Sequence, residues 1–271
     1  MYKMIAFDID GTLVPHLTNE FSSEINDMFK ELKSKGFIVT LATGRDWVSI
    51  AQLYKNPNID YYIGANGSFI YDIKNQKFIF NSYIDWNEFE KYNKEIIEVH
   101  KSSIKSVILS DINNVFVLEV VNRNKPWFWN AFRHKFEEYE NAENKLDRNN
   151  FHLLTIEHKY NSDILEISRK FFEKNNTKMH IQAYWPKGFF VANKGVTKAH
   201  SIKKLCDYLS IDIKEVIAFG DGENDMEMIK EVGLGVAMGN SIDTLKELAD
   251  DVTIDVSEYG TKFYLKKIGI I

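Results

Sequence analysis

Short apolar runs alternate with stretches of helical periodicity in the first and last parts of the chain. The runs at residues 4–7, 37–42 and 216–219 predict buried strands, and the periodic stretches at 20–35 and 196–209 predict amphipathic helices. The same pattern predicts further strands at residues 61–63, 234–237 and 252–254 and further helices at 46–53, 225–232 and 241–249. Such alternation is typical of a parallel sheet with helices on both faces, so we expect an α/β, Rossmann-like core.

The middle of the chain has a different pattern, in which predicted strands follow one another in pairs. Residues 106–109 and 115–121 flank the polar residues 111–114, which predicts an antiparallel hairpin. Other strands are predicted at residues 77–80, 152–156 and 179–184, helices at 86–100, 127–138 and 162–174, and a solvated loop at 137–150. This mixture predicts an α+β domain inserted at residues 81–185, between two parts of the core at 1–80 and 186–271.

The composition narrows the class of protein and of partner. The chain has 271 residues, of which 44% are apolar, so it can bury a sizeable core. Its net charge of −5 argues against a nucleic acid partner, because proteins that bind nucleic acids usually carry a basic face. A single cysteine, Cys206, excludes an intrachain disulfide and a thiolate metal cluster. Without a signal peptide or an apolar run of about 20 residues, we expect a cytoplasmic protein with no membrane partner.

Polar residues that could carry chemistry follow several of the predicted strands. In open α/β sheets, ligands bind beyond the carboxyl ends of the strands. Asp8 and Asp10 come directly after the first strand, and side chains two residues apart on an extended chain point to the same side. Both carboxylates could therefore approach one metal ion and one phosphate, while Gly11 lets the chain turn away. A simple turn rich in Asp and Gly is the alternative interpretation.

Two further groups are typical of phosphate binding. Thr43 and Gly44 follow the strand at 37–42, where a hydroxyl and backbone N–H groups at a strand-to-helix turn can bind phosphate oxygens. Thr43 could instead only cap the next helix. Lys198 lies near a predicted helix start, where the helix dipole favours anions, so its ammonium makes sense if it reaches a phosphate or the Asp8 carboxylate. A surface lysine without such a role is the alternative.

The strongest single indication of a metal site follows the strand at 216–219. Residues 220–225 read GDGEND, which places three acids and an amide directly after a buried strand. Hard oxygen ligands of this kind favour Mg²⁺, which keeps water and substrate phosphate among its ligands. A calcium loop is the alternative, but the preceding strand and the lack of a downstream glutamate at EF-hand spacing disfavour it.

Together these motifs resemble the haloacid dehalogenase (HAD) superfamily, and within it the Cof-like phosphatases of subfamily IIB. The resemblance covers the whole chain, with the motifs in the expected order and a long insert. It depends on residues 8–13 (DIDGTL), 42–45 (ATGR), 66–67 (NG), 195–198 (GVTK) and 220–225 (GDGEND), and on the tail residues 237–240 (AMGN), 249–250 and 260. One departure is Ala199, where many relatives carry glycine, and it should not affect the chemistry.

The resemblance implies an enzyme that hydrolyses phosphate monoesters of small phosphorylated metabolites, with Mg²⁺ as its cofactor. It implies that Asp8 is a nucleophile that forms an aspartyl-phosphate and that Asp10 is the general acid and base. The implied Mg²⁺ ligands are the Asp8 carboxylate, the Asp10 backbone carbonyl and Asp221, with Asp225 supporting through water.

The resemblance also implies how substrate is held. Its phosphoryl oxygens would be bound by Thr43, Gly44, Lys198, Asn224 and the backbone N–H groups after Asp8, beginning with Ile9. The insert would be an α/β cap that closes over the active site, excludes water and recognises the leaving group. Sugar phosphates, nucleotides, flavin precursors and pyridoxal phosphate all fit this class, because a fold does not define a substrate.

Three other classes of protein share part of this pattern. A signalling receiver domain also phosphorylates an aspartate, but it is about half as long, has no insert and gives residues 220–225 no role. A phosphomutase on the same core would return the phosphoryl group to a sugar instead of to water. A non-catalytic phosphate-binding protein could keep the fold, although every expected catalytic position is filled in this chain.

Overall fold

The computed structural model describes residues 1–15, 18, 20–47, 50, 53, 56–111, 115–118 and 146–271. The strands in these ranges are β1 Met4–Phe7, β2 Ile38–Ala42, β3 Tyr61–Gly64, β4 Phe69–Asp72, β5 Lys77–Asn81, β6 Ile104–Ser110, β7 Val115–Leu118, β8 Leu153–His158, β9 Met179–Trp185, β10 Gly188–Asn193, β11 Val216–Gly220, β12 Leu234–Ala237 and β13 Asp251–Val252. The α-helices in the same ranges are Ser23–Ser34, Trp86–Tyr92, Ile164–Lys174, Lys198–Leu209, Met226–Glu231, Asp243–Leu248 and Gly260–Lys267. The helix predicted at 127–138, half of the residues of the helix predicted at 46–53 and most of the loop predicted at 137–150 lie outside the described residues.

The chain forms two units. The core unit comprises Met1–Arg45, Ile50–Phe80 and Thr197–Ile271, and the insert unit comprises Asp46–Ser49 and Asn81–Val196. The sequence prediction ended the insert at residue 185. In the structure, β10 pairs antiparallel with both β8 and β9, so the residues after 185 continue the sheet of the insert unit.

The core unit is built on a sheet whose described strands run in the order β13-β12-β11-β1-β2-β3-β4-β5. β1 pairs in parallel with β11 on one side and with β2 on the other, and β3, β12 and β13 extend the parallel set. β4 runs antiparallel to β3. The predicted α/β, Rossmann-like core is confirmed. The carboxyl ends of the neighbouring strands β11, β1, β2 and β3 therefore lie along one edge of the sheet.

Central β1 explains why a short apolar run predicts a strand here. All four of its residues are fully buried. The ring of Phe7 stacks on Phe219 of β11 with centroids 5.3 Å apart and meets the edge of Phe29 at 5.7 Å. A parallel strand covered on both faces needs apolar residues at every position, and this requirement produces the continuous run.

The helix Lys198–Leu209 brings a lysine to the edge of the sheet. Its N-cap is Thr197, whose Oγ1 accepts a hydrogen bond from the backbone N–H of His200 at 3.1 Å. Its apolar face packs into the core through Ala199, Ile202, Leu205 and Cys206. Because the cap and the apolar face fix the first turn, Lys198 is held in the interior with only 1% of its surface exposed.

The insert unit is an antiparallel sheet with helices packed on it. Its described strands run in the order β7-β6-β8-β10-β9, and the predicted hairpin is formed by β6 and β7. The helices Trp86–Tyr92 and Ile164–Lys174 contribute to its apolar cluster, where the rings of Tyr92 and Phe172 lie 4.8 Å apart. The Tyr92 hydroxyl also shares a hydrogen bond with Ser168 at 2.6 Å. The predicted α+β architecture of the insert is confirmed.

Candidate active site

The structure brings three buried charged residues together at the end of β1. Lys198 Nζ lies 2.7 Å from Asp8 Oδ1 and 2.6 Å from Asp225 Oδ1. Burial raises the pKa of the Asp8 carboxyl, against the opposing charge of Lys198. Burial also disfavours the ammonium of Lys198, but the charges of Asp225 and Asp8 outweigh this effect, so the pKa of Lys198 is raised. The lysine is therefore a fixed positive charge between two carboxylates.

A third carboxylate, from Asp221, completes a group of oxygens that could bind a cation. Asp8, Asp221 and Asp225 each offer one oxygen, and these atoms lie within 4.8 Å of one another. Thr12 Oγ1 donates to Asp221 Oδ1 at 3.3 Å. Burial, together with the charge of Asp225, raises the pKa of Asp221 to about 7. Crowded, buried carboxylates repel one another unless a cation lies between them, so the donor set fits a hard divalent ion such as Mg²⁺.

Within this group Asp225 is engaged mainly with protein donors. Its Oδ2 accepts hydrogen bonds from the backbone N–H groups of Asp221 and Gly222, both at 3.0 Å, and its Oδ1 accepts from Lys198. A carboxylate used in this way shapes the loop that carries Asp221. The supporting role predicted for Asp225, through water, stays a prediction.

Asp10 lies in a different environment from the other acids. Its carboxylate lies outside the group of three and forms a bidentate ion pair with Arg45, with Nε–Oδ2 and Nη2–Oδ1 distances of 2.7 and 2.6 Å. Arg45 Nη2 also donates to the carbonyl of Thr18 at 2.7 Å. Burial opposes the charge of Arg45, but the hydrogen bonds and charge of Asp10 outweigh it and raise the pKa of the guanidinium. Planar, bidentate pairing of this kind fixes the orientation of both groups.

The turn after Asp8 is shaped for close approach to Asp221. Ile9 is fully buried, and its carbonyl accepts hydrogen bonds from the backbone N–H groups of Leu13 and Val14 at 2.9 and 3.1 Å. Gly11 has a φ of +80°, and a Cβ atom there would lie 2.2 Å from Asp221 Oδ2. A side chain at this position would displace the Asp221 carboxylate. The predicted use of the Ile9 N–H group in phosphate binding stays a prediction.

The predicted phosphate-binding residues from β2 and β11 meet through a residue that follows β3. Thr43 is buried, and its Oγ1 accepts from the backbone N–H of Arg45 at 3.2 Å. Asn224 Nδ2 donates to Asn66 Oδ1 at 2.8 Å. A Cβ atom on Gly44 would lie 3.1 Å from the same Asn66 oxygen. The loops after β2, β3 and β11 are thus joined at Asn66.

Three residues of the site were absent from the predicted set. Arg45 directly follows the predicted phosphate loop, and Asn66 stands in an Asn-Gly pair after β3, so both have a signal in the sequence. Asn240 lies in the tail: its Nδ2 donates to the carbonyl of Gly11 at 2.7 Å and its Oδ1 accepts from the N–H of Val256 at 2.9 Å. These contacts depend on residues far apart in the chain, which composition and periodicity do not indicate.

Comparisons with known proteins agree with this geometry. Residues 5–264 match the family of haloacid dehalogenase-like hydrolases, and the chain belongs to that family. It is 30% identical to the 5-amino-6-(5-phospho-D-ribitylamino)uracil phosphatase YcsE of Bacillus subtilis (strain 168), over 93% of this chain and 89% of that protein. Among solved structures, the HAD subclass IIB sugar phosphatase BT4131 is 28% identical with a TM-score of 0.78, covering 99% of this chain and all of that one.

A longer relative, from Streptococcus pyogenes serotype M6, is 27% identical over 99% of this chain, which spans 54% of its length. The predicted resemblance to the HAD phosphatases is confirmed, and the chain is a hydrolase of phosphate esters. Within the described residues, no helix combines the length and the apolar character needed to cross a membrane.

Proposed function

We propose that this chain is a Mg²⁺-dependent phosphatase that moves the phosphoryl group of a small phosphate monoester first to Asp8 and then to water. The observation that supports it best is the position of the Asp8 carboxylate. It lies 2.7 Å from a buried ammonium and within 4.8 Å of further carboxylate oxygens from Asp221 and Asp225. A nucleophile that must meet an anionic phosphate needs such positive charge beside it.

The residues that would hold Mg²⁺ are the Asp8 and Asp221 carboxylates and the backbone carbonyl of Asp10, with Asp225 in support. When bound, the ion would neutralise negative charge on the phosphoryl oxygens. The ammonium of Lys198 adds a second fixed positive charge at the same place. Thr43, Gly44, Asn224 and the backbone N–H of Ile9 would bind the remaining phosphoryl oxygens.

The reaction would proceed in two steps. In the first, an Asp8 carboxylate oxygen bonds to phosphorus, the bond from phosphorus to the leaving oxygen breaks, and Asp10 gives its proton to that oxygen. In the second, Asp10 takes a proton from water as the water oxygen bonds to phosphorus, and the bond to Asp8 breaks. Inorganic phosphate leaves and both carboxyl groups return to their starting states. Arg45 would keep Asp10 correctly oriented between the steps.

We infer that the substrate is the phosphate ester of a hydroxyl-rich small molecule, a sugar or sugar alcohol. The two relatives described above support this class, since one is named for a phosphoribitylamino compound and the other as a sugar phosphatase. The insert unit would serve as the cap that recognises the leaving group and keeps water out. We also propose that the enzyme acts in the cytoplasm on a free metabolite.

Asp8→Asn tests the nucleophile. The amide preserves size but cannot form the acyl phosphate, so release of phosphate from a panel of sugar and sugar-alcohol phosphates should fall to background. Asp27→Asn, the same change at an exposed helix position, is the control and should leave turnover unchanged. Turnover by Asp8→Asn at more than a trace level would refute the proposed nucleophile.

Asp10→Asn tests the proposed general acid and base, and removal of the metal tests the proposed Mg²⁺ requirement. The Asp10 variant should lose roughly 10²–10⁴-fold in rate, the usual contribution of a general acid or base, and keep its Mg²⁺ affinity because its ligand there is a backbone carbonyl. The wild-type protein should lose activity in EDTA and regain it with Mg²⁺. Activity that persists in EDTA would contradict the metal requirement, and sugar phosphate isomers in place of free phosphate would indicate a mutase.

A further inference from the structure

The segment Ala65–Gly67 after β3 has an unusual backbone. Its three residues have φ values of +47°, +53° and +104°, and all three are buried. Two of them are not glycine, and a positive φ is unfavourable for residues with a Cβ atom, less so for asparagine. A conformation of this kind persists only where the surroundings require it. We call this segment the left-handed turn.

The left-handed turn is bound to the loop that follows β2. The backbone N–H of Ala65 donates to the carbonyl of Arg45 at 2.8 Å, and the N–H of Asn66 donates to the carbonyl of Thr43 at 2.9 Å. Gly44 lies between these two partners, and a Cβ atom there would make a tight contact of 3.1 Å with the Asn66 amide oxygen. The turn therefore determines the path of the loop that carries the proposed phosphate-binding groups.

The same turn is also bound to the start of the helix that carries Lys198. Ser201 Oγ donates to the carbonyl of Gly67 at 2.6 Å. A Cβ atom on Gly67 would lie 2.2 Å from the carbonyl oxygen of Thr197, so only glycine permits this approach. The turn is thus packed between the loop after β2 and the N-terminus of the helix.

The side chain of Asn66 points to a third part of the site. Its Oδ1 accepts a hydrogen bond from one of the two N–H groups of the Asn224 amide at 2.8 Å. If the Asn224 amide were turned over, two carbonyl oxygens would face each other, which is unfavourable. The Asn66 oxygen therefore selects the orientation of Asn224 in which the amide nitrogen faces Asn66. The same nitrogen keeps a second N–H group that Asn66 does not use.

We propose that Asn66 is a positioning residue that orients the Asn224 amide as a hydrogen-bond donor to a phosphoryl oxygen. The inference rests on the proposed phosphatase function and adds to it a residue that acts through Asn224. The left-handed backbone places the Asn66 side chain there, because an extended residue at this position would direct its amide elsewhere. The turn and its side chain have separate tasks, and each can be removed by itself.

Asn66→Gly separates the two tasks. Glycine accepts the left-handed backbone without strain, so the turn is kept while the amide is lost. We expect KM for p-nitrophenyl phosphate and the inhibition constant of inorganic phosphate to rise about tenfold or more, the usual effect of losing a hydrogen bond to a charged group. Asn161→Gly, at an exposed left-handed asparagine of the insert unit, is the matched control and should leave both constants unchanged.

A double-mutant cycle tests whether Asn66 acts through Asn224. Asn224→Ala alone should weaken phosphate binding at least as much as Asn66→Gly, and the double variant should be no weaker than Asn224→Ala. Effects that multiply would show that the two residues act independently and would overturn the inference. Wild-type constants for Asn66→Gly would overturn it too, since only the turn would then matter.

Thermal melts with and without inorganic phosphate keep the test interpretable if a variant is less stable. The shift in Tm caused by phosphate reports binding to the folded state even when Tm itself is lowered. A wild-type protein that neither hydrolyses p-nitrophenyl phosphate nor binds phosphate would refute the proposed function and the inference with it. Active wild type with independent effects would refute the inference alone.

Discussion

Replacement of Lys198 by methionine is the sharpest test of the buried charge arrangement. Methionine keeps the length and most of the volume of the lysine side chain but removes the ammonium. In the wild type, this group lies 2.7 Å from Asp8 and 2.6 Å from Asp225, and all three side chains are almost fully excluded from solvent. The variant leaves two carboxylates facing each other without the charge that compensates them.

The expected loss of stability follows from these distances. At an effective dielectric constant of about 20, each pair contributes roughly 6 kcal/mol of Coulomb attraction. Most of this is offset in the wild type, because removing each ion from water costs several kcal/mol. The variant retains the desolvation cost of the Asp8 and Asp225 carboxylates and loses their Coulomb attraction to the Lys198 ammonium. For a buried pair broken in this way, a loss of about 3–5 kcal/mol is expected.

Native-state hydrogen exchange in EDTA measures this loss in the core unit itself. Peptides that cover β1 and β11 report the free energy of opening where the charges lie. Lys203→Met, at an exposed position on the same helix, is the control and should change it by less than about 0.5 kcal/mol. Adding Asp225→Asn to Lys198→Met should restore part of the stability, since one of the two facing charges is removed. A loss below about 1 kcal/mol for Lys198→Met would refute the reasoning.

Three other substitutions or reagents test separate contacts. Arg45→Lys loses the bidentate ion pair with Asp10. Single-turnover hydrolysis of an alkyl phosphate should therefore slow roughly tenfold more than that of p-nitrophenyl phosphate, because the p-nitrophenolate leaving group needs no proton. Equal losses for the two substrates would contradict a role of Arg45 through Asp10. Gly11→Ala should raise the Mg²⁺ concentration for half-maximal activity, because its methyl group would lie 2.2 Å from Asp221 Oδ2; an unchanged value would mean that the loop yields. Burial raises the pKa of the Cys206 thiol to about 12, so a thiol reagent at about pH 8 should modify only the unfolded protein, and rapid modification of the folded protein would contradict this burial.

The central part of the fold could be predicted from the sequence for a physical reason. Strands buried on both faces, such as β1 and β11, must be apolar throughout, and the helices beside them must have one apolar face. Both requirements are visible as short-range patterns. Asp8, Thr43 and Asp221 could be found for the same reason, since each comes directly after such a strand.

Other elements were missed because their formation depends on tertiary contacts. β4 and β10 were not predicted, and each has its place because a neighbouring strand pairs with it. The helix Gly260–Lys267 follows a left-handed residue, Tyr259, and has no side-chain N-cap, so the usual start signal is absent. The helix predicted at 86–100 ends at Tyr92 and continues as a short π-helical stretch.

The same distinction applies to the site. The pairing of Arg45 with Asp10 and of Asn66 with Asn224 joins residues 35 and 158 positions apart in the chain. Nothing in the local pattern around either partner specifies such a contact. The Asn-Gly sequence at 66–67 is compatible with positive φ, but a positive φ at Ala65 has no signal in the sequence.

The position of β1 has a consequence for synthesis on the ribosome. β1 is translated well before β11, yet Met4 pairs with Val216, so one side of the central strand has no partner until some 200 further residues have been made. During that interval the nascent half-sheet β1–β5 exposes an apolar edge, whereas the insert, formed from nearly consecutive residues, can complete its own sheet. Late pairing of this kind favours slow completion of the sheet. It also makes the edge of β1 that awaits β11 the place where the nascent chain is most prone to aggregate.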